Sequence, residues 1–307
     1  MTTSASIPTS SAQSYIDDPR NDDVLVYVNG SLVPRDQASV SIFDAGFVLG
    51  DGIWEGLRLI NGHLMAVDAH MDRLFEGARA IALDIGMTRQ QVVDAVLETC
   101  RANGIDDGAH IRLMITRGRK RTPNQDPRFI IGPATVVIVA ERKAKNPAGK
   151  ERGLSLFTST FRCSTPDVFD LRLNSHSRLN LIQALLQAIN AGADEALMLD
   201  TQGFVSSCNS TNFFIVRGRE LWTSTGRCCF NGITRGHVLA LYSKIGPAYQ
   251  KDYTLTETYS ASEAFVTGTL GGITPVTRID GRTIGDGRPG PVTRQLGDLY
   301  EAFILTA

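Results

Sequence analysis

The sequence predicts an α/β (α+β) chain of two domains, and three observations carry that reading. At 307 residues it is long enough for two domains, or for one large α/β domain with a substantial core. Short apolar, β-branched segments recur in both halves, separated by stretches whose apolar residues repeat at helical spacing. A charged stretch, residues 142–152, holds Pro147 and Gly149 and reads as the interdomain linker. The expected division is therefore a flexible tail at 1–22, an N-terminal domain at 23–141, the linker, and a C-terminal domain at 153–307.

The elements follow in order. Residues 1–22 are rich in Ser, Thr and Asp and lack the apolar stretch of a signal peptide, so they read as tail. Residues 24–28 form a strand closed by Asn29-Gly30, a strong turn pair. A second strand is expected at 40–43, a tight Gly-rich bend at 46–52, and extended chain again at 56–60. Met71, Leu74, Phe75 and Ala78 share one helical face, and Val92, Val93, Val96 and Leu97 mark the next helix. Strands at 110–116 and 135–140 complete the first domain. Beyond the linker come a strand at 154–160 and a helix with Leu181, Ile182, Leu185, Leu186 and Ile189 on one face, stopped by Gly192. Short strands at 195–199, 213–216 and 264–267 follow.

Composition narrows the function. Thirty-one basic residues against 32 acidic ones give a net charge of −1, so no broad field points to nucleic acid or membrane. The basic run at 117–121 reads as a solvated loop, although Arg117, Arg119 and Arg121 are also candidates to bind a substrate carboxylate. Five cysteines fall in no metal-ligand spacing, and their odd number argues against a disulfide framework. A reducing cytoplasm fits. No apolar run reaches the roughly 18 residues a membrane helix needs.

Two glycine-led segments suggest an anion cup. Asn231-Gly232-Ile233-Thr234-Arg235 precedes a helical pattern, and a Gly turn opening a helix exposes backbone N–H groups at the positive end of the dipole. Thr267-Gly268-Thr269-Leu270-Gly271-Gly272 follows a strand and is a second candidate nest. Arg73 is the candidate fixed cation.

In order and spacing these segments match a family. Tyr27-Val28-Asn29-Gly30, Asp44-Ala45-Gly46-Phe47, Gly50-Asp51-Gly52 and Trp54-Glu55-Gly56 closely resemble class IV aminotransferases, which include branched-chain and D-amino-acid aminotransferases and aminodeoxychorismate lyases. His70-Met71-Asp72-Arg73-Leu74 is similar to the segment whose arginine binds the cofactor phosphate. Ile273-Thr274-Pro275-Val276 and Ile279-Asp280-Gly281 resemble the family's closing region. The resemblance implies a smaller N-terminal α/β domain, a larger C-terminal pseudo-barrel domain, a homodimer, and a B6 phosphate held by Arg73, Gly232, Ile233, Thr234, Gly268 and Thr269.

It also implies two groups that this chain lacks. The family holds pyridoxal phosphate as a Schiff base on a lysine, most often three residues before the position of Asn180. That position is Ser177, with His176 and Arg178 as its neighbours. None of the six lysines lies between the linker and the helix of Leu181 to Ile189, and a guanidinium is no substitute amine. The carboxylate that protonates the pyridine nitrogen is expected five residues before Asn212, where Ser207 stands.

The reading is an atypical enzyme that binds pyridoxal 5'-phosphate or pyridoxamine 5'-phosphate non-covalently and acts on a small amino or keto acid. Ser177, His176 and Arg178 are the candidate replacements at the lysine site, His176 foremost because imidazole titrates near neutral pH. Cys208 reads as a core thiol, and Trp54 as a core aromatic. Two alternatives stand beside it. One is a B6-independent hydrolase, lyase or isomerase reusing the cup, and the other a non-catalytic binding homologue.

Overall fold

A computed structural model describes residues 11–305. The chain divides into two compact units, each with its own sheet and core. The first holds Ile16–Ala144, Leu173–Leu179 and the chain end from Ala302. The second holds the described residues up to Tyr15, Lys145–Arg172 and Asn180–Glu301.

The first unit is built on a six-stranded antiparallel sheet. Its order is Ser31–Pro34, Leu25–Val28, Thr135–Arg142, Ala109–Thr116, Gly52–Ile60 and His63–Leu64. Strand Ala109–Thr116 shows why its two faces differ. Ala109, Ile111, Leu113 and Ile115 alternate with His110, Arg112, Met114 and Thr116, and only the first set is fully buried. That set packs in one core with residues of helices Val67–Ala80 and Arg89–Ala102. The second helix starts on a capping box, in which Thr88 and Gln91 satisfy each other's backbone N–H groups.

Residues 40–43 are not the expected strand. Ser41 Oγ accepts the Phe43 N–H and Ser41 O accepts the Asp44 N–H, closing a turn that leads into helix Ala45–Leu49. A serine side chain offering the backbone this local alternative outweighs β-branched content. Leu25–Val28 pairs instead with Ser31–Pro34, immediately after the Asn29-Gly30 turn.

The expected boundaries also shift. Of the predicted tail, residues 1–10 lie outside the described residues, whereas Ser11–Ser14 are docked, with Ala12 buried in the core of the second unit. The predicted linker carries helix Ala148–Arg152, and Lys145 and Lys150 both pair with Glu301, so it is tied down. Residues 173–179 leave the C-terminal half and join the free edge of strand Gly52–Ile60. An edge strand offers unpaired N–H and C=O groups to any nearby extended chain.

The second unit has a nine-stranded mixed sheet. Its path runs Val205–Cys208, Glu195–Leu199, Leu154–Thr158, Gly272–Ile279, Glu263–Gly268, Asn212–Arg217, Glu220–Thr223 and Ala248–Gln250, with Arg282–Thr283 paired to Gly272–Ile279. Strands Val205–Cys208 and Asn212–Arg217 stand five places apart on that path, yet only residues 209–211 join them. The sheet must therefore curl back on itself, which makes it the half-barrel the resemblance implies. Leu156, Leu197, Phe213, Val266 and Val276 fill it.

Helix Leu179–Asn190 buries a different face from the one its leucines suggest. Ala184 and Ala188 are fully buried with Leu181 and Leu185 half-buried beside them, while Ile182, Leu186 and Ile189 are exposed.

Candidate active site

The lysine-site segment is an added edge strand. Trp54 N–H donates to Asn174 O at 2.9 Å and His176 N–H to Gly52 O at 3.0 Å, on either side of the Ile53–Ser175 bridge. Asn174 Nδ2 donates to Trp54 O at 2.5 Å, and Trp54 Nε1 to Ser175 O at 3.1 Å. This register sets His176 opposite Gly52 and Asn174 opposite Trp54.

Ser177 is exposed, and its Oγ donates to Gly50 O at 3.3 Å. Arg178 is held back on its own loop, Nε donating to Ser175 O at 2.9 Å and Nη2 to Asn174 Oδ1 at 2.5 Å. His176 Nε2 is buried and has no hydrogen-bond partner among the described residues. Burial lowers the imidazole pKa below its ordinary 6.5, and Arg112 pushes the same way, while the Ile53 backbone and Asp44 act against them. The ring is therefore neutral at pH 7 and has a free basic nitrogen.

Gly52 makes room for that ring. A Cβ there would meet Ile115 O at 2.5 Å and His176 Cδ2 at 2.6 Å. Gly52→Ala should displace His176 and destabilise the unit by about 1–3 kcal/mol, the usual range for overpacking. Chemical denaturation checks the stability, and an unshifted His176 ring resonance by NMR would contradict the displacement.

Trp54 is no ordinary core residue. Arg112 lies over its ring, 3.3 Å from the centroid, with Arg178 at 5.6 Å. Both guanidinium pKa values fall to about 10, chiefly through burial; Arg112 and Arg73 add to the drop at Arg178, and Glu55 acts against both shifts. Each remains a cation at neutral pH. The Arg112 side chain makes no hydrogen bond or ion pair among the described residues.

Arg73 forms a two-pronged bond to Glu55, Nε to Oε1 at 2.8 Å and Nη2 to Oε2 at 2.7 Å. His70 Nδ1 shares Glu55 Oε2 at 2.7 Å, and Glu55 is fully buried. Three guanidinium groups, Arg73, Arg112 and Arg178, thus interact with a single carboxylate, leaving the cluster net cationic.

Arg117 is not available to a substrate. It grips Asp51 through Nε at 2.6 Å and Nη2 at 2.9 Å and donates to the carbonyls of Ile81 and Ala82.

In the second unit Asn212 fixes one of the candidate cup segments. Its Oδ1 accepts the Gly232 N–H at 3.1 Å and its Nδ2 donates to Phe230 O at 2.7 Å. A Cβ on Gly232 would collide with Asn212 Oδ1, so only glycine lets the start of helix Ile233–Tyr242 come this close. The Ile233 and Thr234 N–H groups lie in the first turn, where no intrahelical acceptor exists. Thr234 Oγ1 is 3.4 Å from Tyr300 Oη. Thr267 pairs across the sheet with Asn212, and its buried Oγ1 has no partner among the described residues. Gly268 ends that strand and Thr269, half-buried, begins the following turn. Ser207 is buried and donates its hydroxyl to Thr211 O at 2.7 Å, with Asn212 Nδ2 3.5 Å away.

The residues present fit the phosphate of a B6 cofactor. A buried hydroxyl unpartnered among the described residues, paired across the sheet with the asparagine that fixes a helix start, is what an anion would satisfy. They offer no amine at position 177 and no carboxylate at 207.

The family pattern described as amino-transferase class IV matches residues 52–279. The chain belongs to the class IV aminotransferase family. Branched-chain-amino-acid aminotransferase-like protein 2 of Arabidopsis thaliana is 38% identical over 284 residues, covering 92% of this chain and 51% of that protein. This chain thus spans about half the length of that relative. D-alanine aminotransferase of Listeria monocytogenes serotype 4b is 32% identical, covering 92% of this chain and 96% of that enzyme. Among solved structures, a branched-chain amino acid aminotransferase with pyridoxamine 5'-phosphate superposes with a TM-score of 0.86 at 27% identity, covering 92% of this chain and 94% of that one. The branched-chain aminotransferase of the archaeon Thermoproteus uzoniensis with norvaline gives a TM-score of 0.82 at 30% identity, covering 92% and 95% of the two chains.

Sequence reasoning missed Glu55, Arg112 and Asn174 as parts of the site. Arg112 had a signal, a cation on the polar side of a strictly alternating strand. Glu55 had another, an acidic residue in an apolar run with His70 and Arg73 three apart on a helix. Nothing local marked Asn174. No described helix is long and apolar enough to cross a membrane.

Proposed function

We propose that this class IV family member binds pyridoxal or pyridoxamine 5'-phosphate without covalent attachment and acts on a small amino or keto acid. The observation that carries this reading is the buried, unpartnered Thr267 hydroxyl, paired across the sheet with the asparagine that fixes the Gly232 helix start. The Ile233 and Thr234 N–H groups would hold the phosphate, with Gly268 and Thr269 as its further contacts in the same unit. When bound, the group supplies an electron sink for carbanion chemistry and, in its amine form, the amino group transferred.

The chain's own residues divide the remaining work. Arg112, stacked on Trp54, binds the substrate carboxylate, because an anion there relieves the repulsion between two half-buried guanidinium groups. His176 Nε2 accepts and returns the proton that lysine would otherwise carry. Ser177 leaves space beside it, and in the second unit Ser207 would offer the cofactor a neutral hydroxyl in place of a carboxylate. Five free thiols suit a reducing cytoplasm. A second copy of the chain is the partner proposed for the exposed stripe of Leu179, Ile182, Leu186 and Ile189.

Calorimetry and absorbance with pyridoxamine phosphate test the reading: binding is expected, followed by a spectral change when keto acids are added. Absence of binding would overturn it and favour an enzyme without B6. Binding with no spectral response to any amino or keto acid would favour a non-catalytic homologue.

His176→Gln should slow single-turnover conversion by roughly 10²–10⁴-fold while leaving cofactor affinity unchanged. In the parent chain activity should fall as pH drops through the lowered imidazole pKa, because the base must be neutral. The acid limb of the pH–rate profile should thus lie below pH 6.5, and its persistence in the variant would exclude His176 as the base.

A further inference from the structure

Ser11–Ser14 form a closed turn. Ser11 Oγ accepts the Gln13 N–H at 2.9 Å, and Ser14 Oγ accepts the Ser11 N–H at 2.8 Å. Ala12 at its tip is buried within the core of the half-barrel. Its N–H donates to Glu195 Oε1 at 2.8 Å, and the other Glu195 oxygen accepts Thr211 Oγ1 at 2.7 Å. Thr211 O in turn accepts both the Ser207 hydroxyl and the Cys208 N–H. One hydrogen-bonded chain thus runs from the N-terminal turn to Ser207 and to the residue before Asn212.

A second contact reaches the other side of the cup. A Cβ on Gly268 would lie 3.0 Å from Gln13 Nε2 and 3.4 Å from the Thr211 methyl, and one on Gly271 would run into Ala12 O. The glycines of this segment therefore admit the N-terminal turn, whereas the sequence alone suggested an open anion nest. The turn lies against both segments that flank the Asn212–Thr267 pair.

We infer that Ser11–Ser14 is a positioning strap for the cup: through Glu195 and the Gly268–Gly271 turn it fixes Ser207, Asn212 and Thr267 for cofactor binding. This rests on the proposed phosphate site. Glu195 is the positioning residue, a fully buried carboxylate with donors from Ala12 and Thr211. Losing one donor leaves it under-solvated and lets the 207–212 turn relax.

Two full-chain variants test it. Ala12→Pro removes the N–H that Glu195 accepts, and Glu195→Gln keeps the shape but replaces an acceptor with a donor. Each should raise the Kd for pyridoxamine phosphate about tenfold, equivalent to about 1.4 kcal/mol. Each should also speed amide exchange across 207–212 and 267–272, with the sheet of the first unit unchanged. Rescue of both readouts in Ala12→Pro by an added peptide of residues 1–16 would mark a docking role rather than general destabilisation. Parent-like affinity and exchange in both variants would overturn the strap. If the parent chain itself binds no pyridoxamine phosphate, the phosphate reading fails, and unchanged exchange at 207–212 then rejects the strap on its own. Should Ala12→Pro not fold, Glu195→Gln carries the same two readouts.

Discussion

Ser177→Lys should convert the chain from one that leaves no borohydride-stable B6 label into one labelled nearly stoichiometrically at position 177. The site is exposed, so the longer side chain has room, and its present hydroxyl makes one hydrogen bond, to Gly50 O. Arg178 next to it and Arg112 nearby would depress the new amine's pKa, raising the fraction able to attack an aldehyde. Retention of pyridoxal phosphate should tighten at least about tenfold, or 1.4 kcal/mol. Peptide mapping after reduction checks the attachment. Labelling of His176→Lys but not of Ser177→Lys would show that the register is off by one. If neither variant labels, position 177 does not face the cofactor's reactive carbon, and the proposed site is wrong.

Glu55→Ala should be the most destabilising single change in the first unit, by about 3–5 kcal/mol, because it strands Arg73 in a half-buried position without its carboxylate. Glu55→Leu combined with Arg73→Met should cost less than Glu55→Ala alone. Denaturant unfolding measures both, and equal losses would mean the pair is not coupled. Burial pushes the Glu55 pKa up from its ordinary 4.5, but hydrogen bonds from Arg73 and His70 outweigh it and the net shift is downward. Its stabilising contribution is therefore complete above the unfolded carboxylate value and is lost as pH falls through the lower folded one. In Glu55→Ala the acid transition of this unit should flatten.

Arg73 links the two predictions. The sequence offers it as a phosphate ligand, and its bond to Glu55 fixes the direction in which it can serve. A cation oriented by a buried carboxylate loses less side-chain entropy on binding an anion than one free on the surface.

Much of the fold was legible in the chain. The alternation at 109–116, the Asn29-Gly30 turn, the helical faces before Ala80 and Ala102 and the glycine-led helix at 232 all rest on local rules. Local pattern and tertiary outcome agree there. They part at residues 40–43, where a serine turn competes with the strand, and at Leu179–Asn190, where Ala184 and Ala188 with Leu181 face the core and Ile182, Leu186 and Ile189 do not. Helical periodicity reports that a helix is amphipathic, but Ala184 and Ala188 allow close approach that a larger side chain would forbid.

The sequence by itself determined the family, the absence of a lysine at 177 and of a carboxylate at 207, and the glycine-led segments of the proposed anion cup. These are statements about which atoms the chain possesses. Only the tertiary structure decided what those atoms face. The edge pairing of Ile53 with Ser175 gives His176 a buried, unpartnered nitrogen, and the stacking of Arg112 on Trp54 makes a strand cation part of the site. Docking of Ala12 on Glu195 turns an apparent tail into part of the half-barrel. Each of these joins residues far apart in the chain, and no local rule constrains such pairs. Their energies come from burial and desolvation, which exist only once the chain has folded.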